Sequence, residues 1–193
     1  METAKVGKLI IFSAPSGAGK TSIVKKLMEL MPEKLAFSVS ACTRKQREGE
    51  VNGRDYYFIS PLEFKQKIEE NAFVEWEEVY ENGFYGTLKS EIERIRNSGK
   101  NVLFDVDVEG GLSLKRAYGK DALAIFVMPP DEEILEVRLR GRGTEDENSL
   151  RKRLAKAKKE LSYYPKFDLV ILNDILDHAV QDAQTQIEKF IQS

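Results

Sequence analysis

Short apolar runs at residues 8 to 13, 101 to 106, 122 to 128 and 168 to 172 predict strands. Between them, apolar positions recur at helical spacing over 20 to 31, 110 to 118, 131 to 140, 148 to 163 and 176 to 192, with Pro32 and Gly119 as stop signals. Strands alternating with helices point to an α/β fold with a central parallel sheet and helices packed on both of its faces. No internal repeat or low-complexity linker interrupts the chain.

Two stretches break the rhythm. From about 36 to 87, Phe58-Ile59, Phe73-Val74-Glu75-Trp76 and Phe84-Tyr85 predict short antiparallel strands around a helix that begins at Ser60-Pro61-Leu62-Glu63. Ser60 and Glu63 form a capping box, and Pro61 stands at the favoured first helical position. From Arg138 to Arg153, Gly141-Arg142-Gly143-Thr144 separates two helices, as in a hinged flap.

Composition narrows the function classes. A chain of 193 residues, 41% hydrophobic and 32% charged, fits one soluble globular domain. Thirty Lys and Arg against 32 Asp and Glu leave a net charge of -2, so nothing overall attracts nucleic acid or a membrane surface. The one cysteine, Cys42, cannot make an intrachain disulfide or a cysteine cage, which suits a reducing cytoplasm. The first residues lack the apolar stretch of a signal peptide, and no segment approaches membrane-spanning length. A single histidine, His178, removes histidine triads and His-rich zinc sites, and is expected on a helix surface.

The strongest chemical signal is Ala14-Pro15-Ser16-Gly17-Ala18-Gly19-Lys20-Thr21, set between a predicted strand and a predicted helix. In such a loop successive backbone N–H groups turn inward on phosphates, the helix offers its positive end, the lysine neutralises charge and the threonine can hold Mg²⁺. Ala14 stands where the full pattern has glycine, and a methyl group there requires a negative φ. An ordinary glycine-rich turn would explain the glycines but not Lys20-Thr21. Asp105 ends an apolar strand, where such proteins place an acid beside Mg²⁺, directly or through water. Asp107 would share its side if the strand continues; otherwise an acid here greets solvent or caps the helix near Gly110.

Between residues 44 and 56, Arg44, Arg47, Arg54 and Tyr56 gather in one loop-rich segment, which could bind a second phosphate or be a solvated charge run. Glu75 lies in an alternating stretch, Phe73 to Tyr80. A carboxylate there can accept from guanine N1–H and N2 together, whereas adenine presents a bare acceptor; Glu75, Glu77 and Glu78 could equally be exposed acids on an edge strand.

These segments, together with Ser38-Val39-Ser40, Thr43-Arg44, Gly49-Glu50-Val51-Asn52-Gly53, Asp55-Tyr56, Tyr85-Gly86-Thr87, Asp105-Val106-Asp107, Arg140-Gly141-Arg142-Gly143 and Asn173-Asp174, resemble guanylate kinases over nearly the whole chain. The resemblance implies a P-loop three-layer α/β/α fold, with an inserted mixed or antiparallel GMP-binding subdomain and a helical lid. It implies one domain over 1–193: core about 1–35, 98–137 and 164–193, GMP-binding region about 36–90, lid about 138–155. The implied reaction is ATP + GMP to ADP + GDP in the cytoplasm, with Mg²⁺. Its small-molecule partners are ATP and GMP, and neither nucleic acid nor membrane is expected. The rivals are a P-loop kinase for another nucleoside monophosphate and a catalytically silent module of this family that binds a phosphorylated peptide.

By the same resemblance Ser40, Glu75 and Asp107 would contact guanine, while Arg44, Arg47, Tyr56 and Tyr85 would hold the GMP phosphate, with Gly86 and Thr87 in support. Residues Ala14, Pro15, Ser16, Gly17, Ala18, Gly19, Lys20 and Thr21 would hold ATP, with Arg138, Arg142 and Arg153 as lid and donor-side arginines and Asn173 near adenine. Lys20, Arg44, Arg142, Arg153 and Asp105 would serve catalysis, and Thr21 would ligate Mg²⁺. Cys42 stands where a hydroxyl residue is common, the turn Glu81-Asn82-Gly83 is one residue longer than in many relatives, and Phe84 replaces a common tyrosine.

Overall fold

The computed structural model describes residues 6–140 and 147–193. Five strands, β1 (Leu9–Ser13), β2 (Leu35–Phe37), β7 (Asn101–Asp105), β8 (Ala122–Met128) and β9 (Leu169–Leu172), form an all-parallel sheet in the order β2-β7-β1-β8-β9. Successive residues of a strand face opposite sides, so β1 feeds two cores at once. Ile10 and Phe12 join Leu103, Ile125 and Ile171 beneath Ile23 and Leu27 of α1 (Lys20–Leu30) and Val180, Ala183 and Ile187 of α7 (Leu176–Gln192). Leu9 and Ile11 join Val102 and Phe104 against Ile92 and Ile95 of α3 (Lys89–Asn97) and Leu114 of α4 (Val108–Tyr118). This is the expected three-layer arrangement, with nearly continuous apolar strands because both faces are covered.

A second sheet occupies the chain between β2 and α3. Its strands β3 (Ala41–Cys42), β4 (Tyr57–Phe58), β5 (Phe73–Tyr80) and β6 (Gly83–Leu88) run in the order β4-β3-β6-β5. It is mixed, because β3 pairs parallel with β4 and antiparallel with β6. The helix α2 (Pro61–Glu69) starts as expected, with the Ser60 hydroxyl accepting from the Glu63 amide at 3.1 Å. Phe64 from α2 stacks on Phe73 and Phe84 with ring centroids 4.3 and 5.3 Å apart, so Phe84 is a core residue of this subassembly. Tyr80 pairs with Gly83 around Glu81-Asn82, and Asn82 takes the left-handed conformation, φ 56, that its short amide tolerates. That fixes Tyr85 opposite Glu77 and Cys42.

The structure also departs from the sequence expectations. The strands β2 and β3 and the helix α3 were not anticipated, and β4 lies one residue earlier than Phe58-Ile59. β7 ends at Asp105, so Asp107 does not continue a strand. Instead its carboxylate caps α4, which starts at Val108, before the expected 110: Asp107 Oδ1 accepts from the Gly110 amide at 2.7 Å. The helices α5 (Glu132–Arg140) and α6 (Glu147–Leu161) flank the predicted flap, whose residues Gly141, Arg142, Gly143 and Thr144 lie outside the described residues. No helix among the described residues is long and apolar enough to cross a membrane.

Candidate active site

The phosphate loop leaves the carboxyl end of β1, where ligands of parallel α/β sheets gather. Gly17 and Gly19 have φ of 93 and 87, left-handed values that bring successive amides to one side without a Cβ clash. Ala14 is buried and is not among the residues with positive φ, which meets the condition set by its methyl group. Gly19 caps α1, so Lys20 and Thr21 open the helix at its positive end.

At that point three expected residues converge. Lys20 forms an ion pair with Asp105 Oδ1, and Thr21 Oγ1 donates to Asp105 Oδ2 at 2.6 Å. The hydroxyl and carboxylate offer hard oxygen donors beside the loop, the chemistry that suits a divalent cation bound to phosphates. Among the described residues no three His, Cys, Asp or Glu side chains cluster as a metal cage, so phosphate oxygens would complete its shell.

A cavity of about 450 Å³ joins this loop to the helix α6 and to α4: it is lined by Ser16, Lys20, Thr21, Asp107, Arg153 and Glu160, among others. Arg153 Nη2 donates to Ser16 Oγ at 3.0 Å, which brings one expected lid arginine onto the loop. Arg138, on α5, borders the other side of the loop together with Asn173.

Two of the three guanine-reading candidates, Glu75 and Asp107, meet at the start of α4. Glu75 Oε1 accepts from the Thr87 hydroxyl, itself fully buried, at 2.5 Å. A Cβ built on Gly110 would lie 2.9 Å from Asp107 Oδ1 and 3.3 Å from Glu75 Oε2, so both acids crowd one backbone position. Burial pushes the Glu75 carboxyl above its ordinary value of 4.5; the Thr87 hydrogen bond opposes this, and the Asp107 charge adds to it. Each acid already accepts one hydrogen bond within the protein, and each carboxylate has a second oxygen that can accept from a ligand N–H. Gly86 backs them for a steric reason, since a Cβ there would come within 2.9 Å of the Glu75 carbonyl oxygen and of Trp76 Cβ.

The second-phosphate candidates gather at the other end of the same sheet. The Arg44 guanidinium lies 4.9 Å from the Tyr56 ring centroid and 5.3 Å from that of Phe58, and Tyr56 meets Tyr85 edge-on at 6.1 Å. Burial, followed by a hydrogen bond with Tyr80, pushes the Tyr85 phenol up to about 12, so it remains a donor at neutral pH. Ser40, the third guanine-reading candidate, is half-buried just before β3, its carbonyl accepting from the Tyr57 amide at 2.9 Å. Arg47 is exposed on the loop.

Sequence reasoning missed the residue that organises this loop. Glu50 accepts from Arg44 Nη1 and Nη2 at 2.7 and 2.6 Å and from the Arg47 amide at 2.8 Å, holding the fork against Tyr56. A spacing of six in a loop carries no periodic signal, so only the fold exposes the pair. It also missed Glu91, buried at the start of α3, which takes Arg94, the Tyr57 hydroxyl and the Val39 amide and so ties the second sheet to the core. Cys42 is buried in β3 and its thiol is raised by that burial, which makes it a packing residue.

The Arg44 hydrogen bonds hold Glu50 at about 2, well below its ordinary 4.5. A depressed carboxyl is charged above 4.5, and its contribution is lost as pH falls from there through about 2. Glu50→Gln is therefore expected to raise KM for a phosphate bound by Arg44 about three- to tenfold at pH 7 and to leave the shape of the pH profile between 5 and 9 unchanged. A new inflection within that range, or an unchanged KM, would contradict the role given to Glu50.

A family model described as guanylate kinase matches residues 6–190. The guanylate kinase of Porphyromonas gingivalis is 50% identical over 184 residues, covering 95% of this chain and 98% of that protein. That of Chlorobium chlorochromatii is 48% identical over 185 residues, covering 96% of both. The crystal structure of guanylate kinase from Anaplasma phagocytophilum superposes with a TM-score of 0.76 at 27% identity, covering 98% of this chain and 88% of that one. The chain belongs to the guanylate kinase family.

Proposed function

We propose that this protein transfers the γ-phosphoryl group of ATP to GMP, giving ADP and GDP. The observation that carries the reading is the shared cavity: Lys20 and Thr21 of the phosphate loop and Asp107 of the acid pair line one space. A donor phosphate and an acceptor base can thus be held at the same time, which lowers the entropic barrier to in-line transfer. GMP needs no general base, because a phosphate monoester with a second pKa of about 6 is largely dianionic at neutral pH.

The residues then divide the work. Lys20, Arg138 and Arg153 neutralise the donor phosphates, and the loop amides fix their geometry. Arg44, Tyr56 and Tyr85 hold the acceptor phosphate with Arg47 at the mouth, while Glu75, Asp107 and Ser40 read guanine. Arg142 keeps its proposed place among the lid arginines. Thr21, with Asp105 through water, would hold Mg²⁺, which would supply charge neutralisation for the phosphates. The location this reading implies is the cytoplasm.

The deciding measurement is a coupled assay with Mg²⁺-ATP and GMP, AMP, CMP or UMP. GMP is expected to turn over more than about a hundredfold more efficiently than the others, because a site of paired acceptors leaves buried groups unmatched with each of them. Comparable use of another monophosphate would remove guanine reading from the acid pair, and no turnover of any would favour a binding module.

A further inference from the structure

On the donor side the loop borders a groove of about 480 Å³ lined by Gly17, Gly19, Ser22, Arg138, Asn173 and Leu176, among others. Family resemblance sets Asn173 here near adenine, yet its side-chain amide nitrogen is already committed. It is buried just after β9, with its backbone amide donating to Met128 O at 2.8 Å. Asn173 Nδ2 donates to Ala18 O at 2.7 Å, inside the phosphate loop and 155 residues away in sequence. A Cβ on Gly19 would lie 2.3 Å from that same Nδ2, so the loop is folded flush against the amide. Asn173 O in turn accepts from Arg138 Nη2 at 3.3 Å, and Arg138 Nη1 is buried with no hydrogen-bond partner among the described residues.

A loop that turns its N–H groups inward on phosphates must turn carbonyls outward, and an outward carbonyl shielded from water needs a donor of its own. At Ala18 that donor is Asn173. We infer that Asn173 is a positioning residue whose side-chain amide braces the phosphate loop, while its backbone carbonyl holds Arg138 at the donor groove, and that the side chain does not select the donor base. The inference rests on the reading of the chain as a kinase that uses a nucleoside triphosphate. Without the brace, the peptide after Ala18 can rotate and the amides lose their common direction. That loss falls on the phosphates, which every donor shares.

The test compares the wild type with Asn173→Ala and Asn173→Asp, using ATP, ITP and CTP as donors at saturating GMP. Both variants are expected to lose about tenfold or more in kcat/KM by the same factor for all three donors, with KM for GMP unchanged. Inorganic tripolyphosphate should bind both variants more weakly than wild type by a similar factor. Asn173→Asp matches the native shape but sets an anionic acceptor against Ala18 O, so it carries the comparison if the alanine variant melts early. A loss confined to ATP would make Asn173 a base reader and overturn the inference, as would wild-type values in Asn173→Asp. If the wild type itself does not phosphorylate GMP, the kinase reading fails, and tripolyphosphate binding by calorimetry still decides the brace.

Discussion

Lys20→Ala is expected to fold normally and to lose at least about a hundredfold in kcat, with KM for GMP changed little. The ammonium stands at the first residue of α1, beside the loop amides and paired with Asp105. In phosphoryl transfer, charge spreads over the equatorial oxygens of the moving group, and a fixed cation there acts on the transition state more than on the bound substrate. Removing it leaves the acceptor half untouched, because Arg44 and Tyr56 lie on the segment that joins β3 to β4 and Tyr85 lies on β6, not on α1. Lys20→Arg is expected to recover little, since a planar fork does not replace a compact point charge in the space between Asp105 and the loop. Steady-state kinetics on protein with an unchanged melting curve decide the matter; a kcat within threefold of wild type in Lys20→Ala would remove the cradle from catalysis.

The donor half of this site was readable from sequence because its chemistry is written in consecutive residues. Gly17 and Gly19 are demanded by left-handed backbone and Lys20-Thr21 by phosphate and metal chemistry, so the order alone specifies the geometry. The central strands were readable for a related reason, since burial on both faces makes them continuous apolar runs. The strands β2 and β3 have only three and two residues, too few to show a period. The helix α3 has nine residues of which only Ile92 and Ile95 are apolar, too few to announce a helical stripe.

The acceptor half depends on contacts between segments distant in sequence. Asp107 was expected beside Asp105 through strand alternation, but the strand stops at Asp105 and a helix cap brings Asp107 to Glu75 instead. The helix cap is the alternative that the sequence left open for Asp107, and the nearness of Asp107 to Glu75 had been implied only by the family resemblance. Arg44 was named as a phosphate ligand, while the Glu50 that fixes its orientation was invisible until the loop closed on itself. Recognition chemistry set by side-chain convergence needs the fold, whereas a backbone cradle does not.

Glu75→Gln is expected to move stability and GMP use in opposite directions. The amide offers one acceptor and one donor where guanine N1–H and N2 need two acceptors, so kcat/KM for GMP should fall by about tenfold to a hundredfold. The loss should be smaller for IMP, which lacks the N2 amino group, narrowing the preference between the two. Without nucleotide the same change relieves a burden: burial and the Asp107 charge keep the Glu75 carboxyl above 4.5, so the folded protein takes up a proton more readily than the unfolded chain. Wild-type stability then declines as pH rises through the interval above 4.5, whereas Glu75→Gln lacks that component. The unliganded variant is therefore expected to melt above wild type at pH 7, by a margin that shrinks toward pH 4, and saturating GMP should reverse the order. Equal GMP kinetics would reject Glu75 as the guanine reader. A variant that melts below wild type at pH 7 would show that its carboxylate stabilises the empty fold, and that the acid pair is not held at the expense of stability.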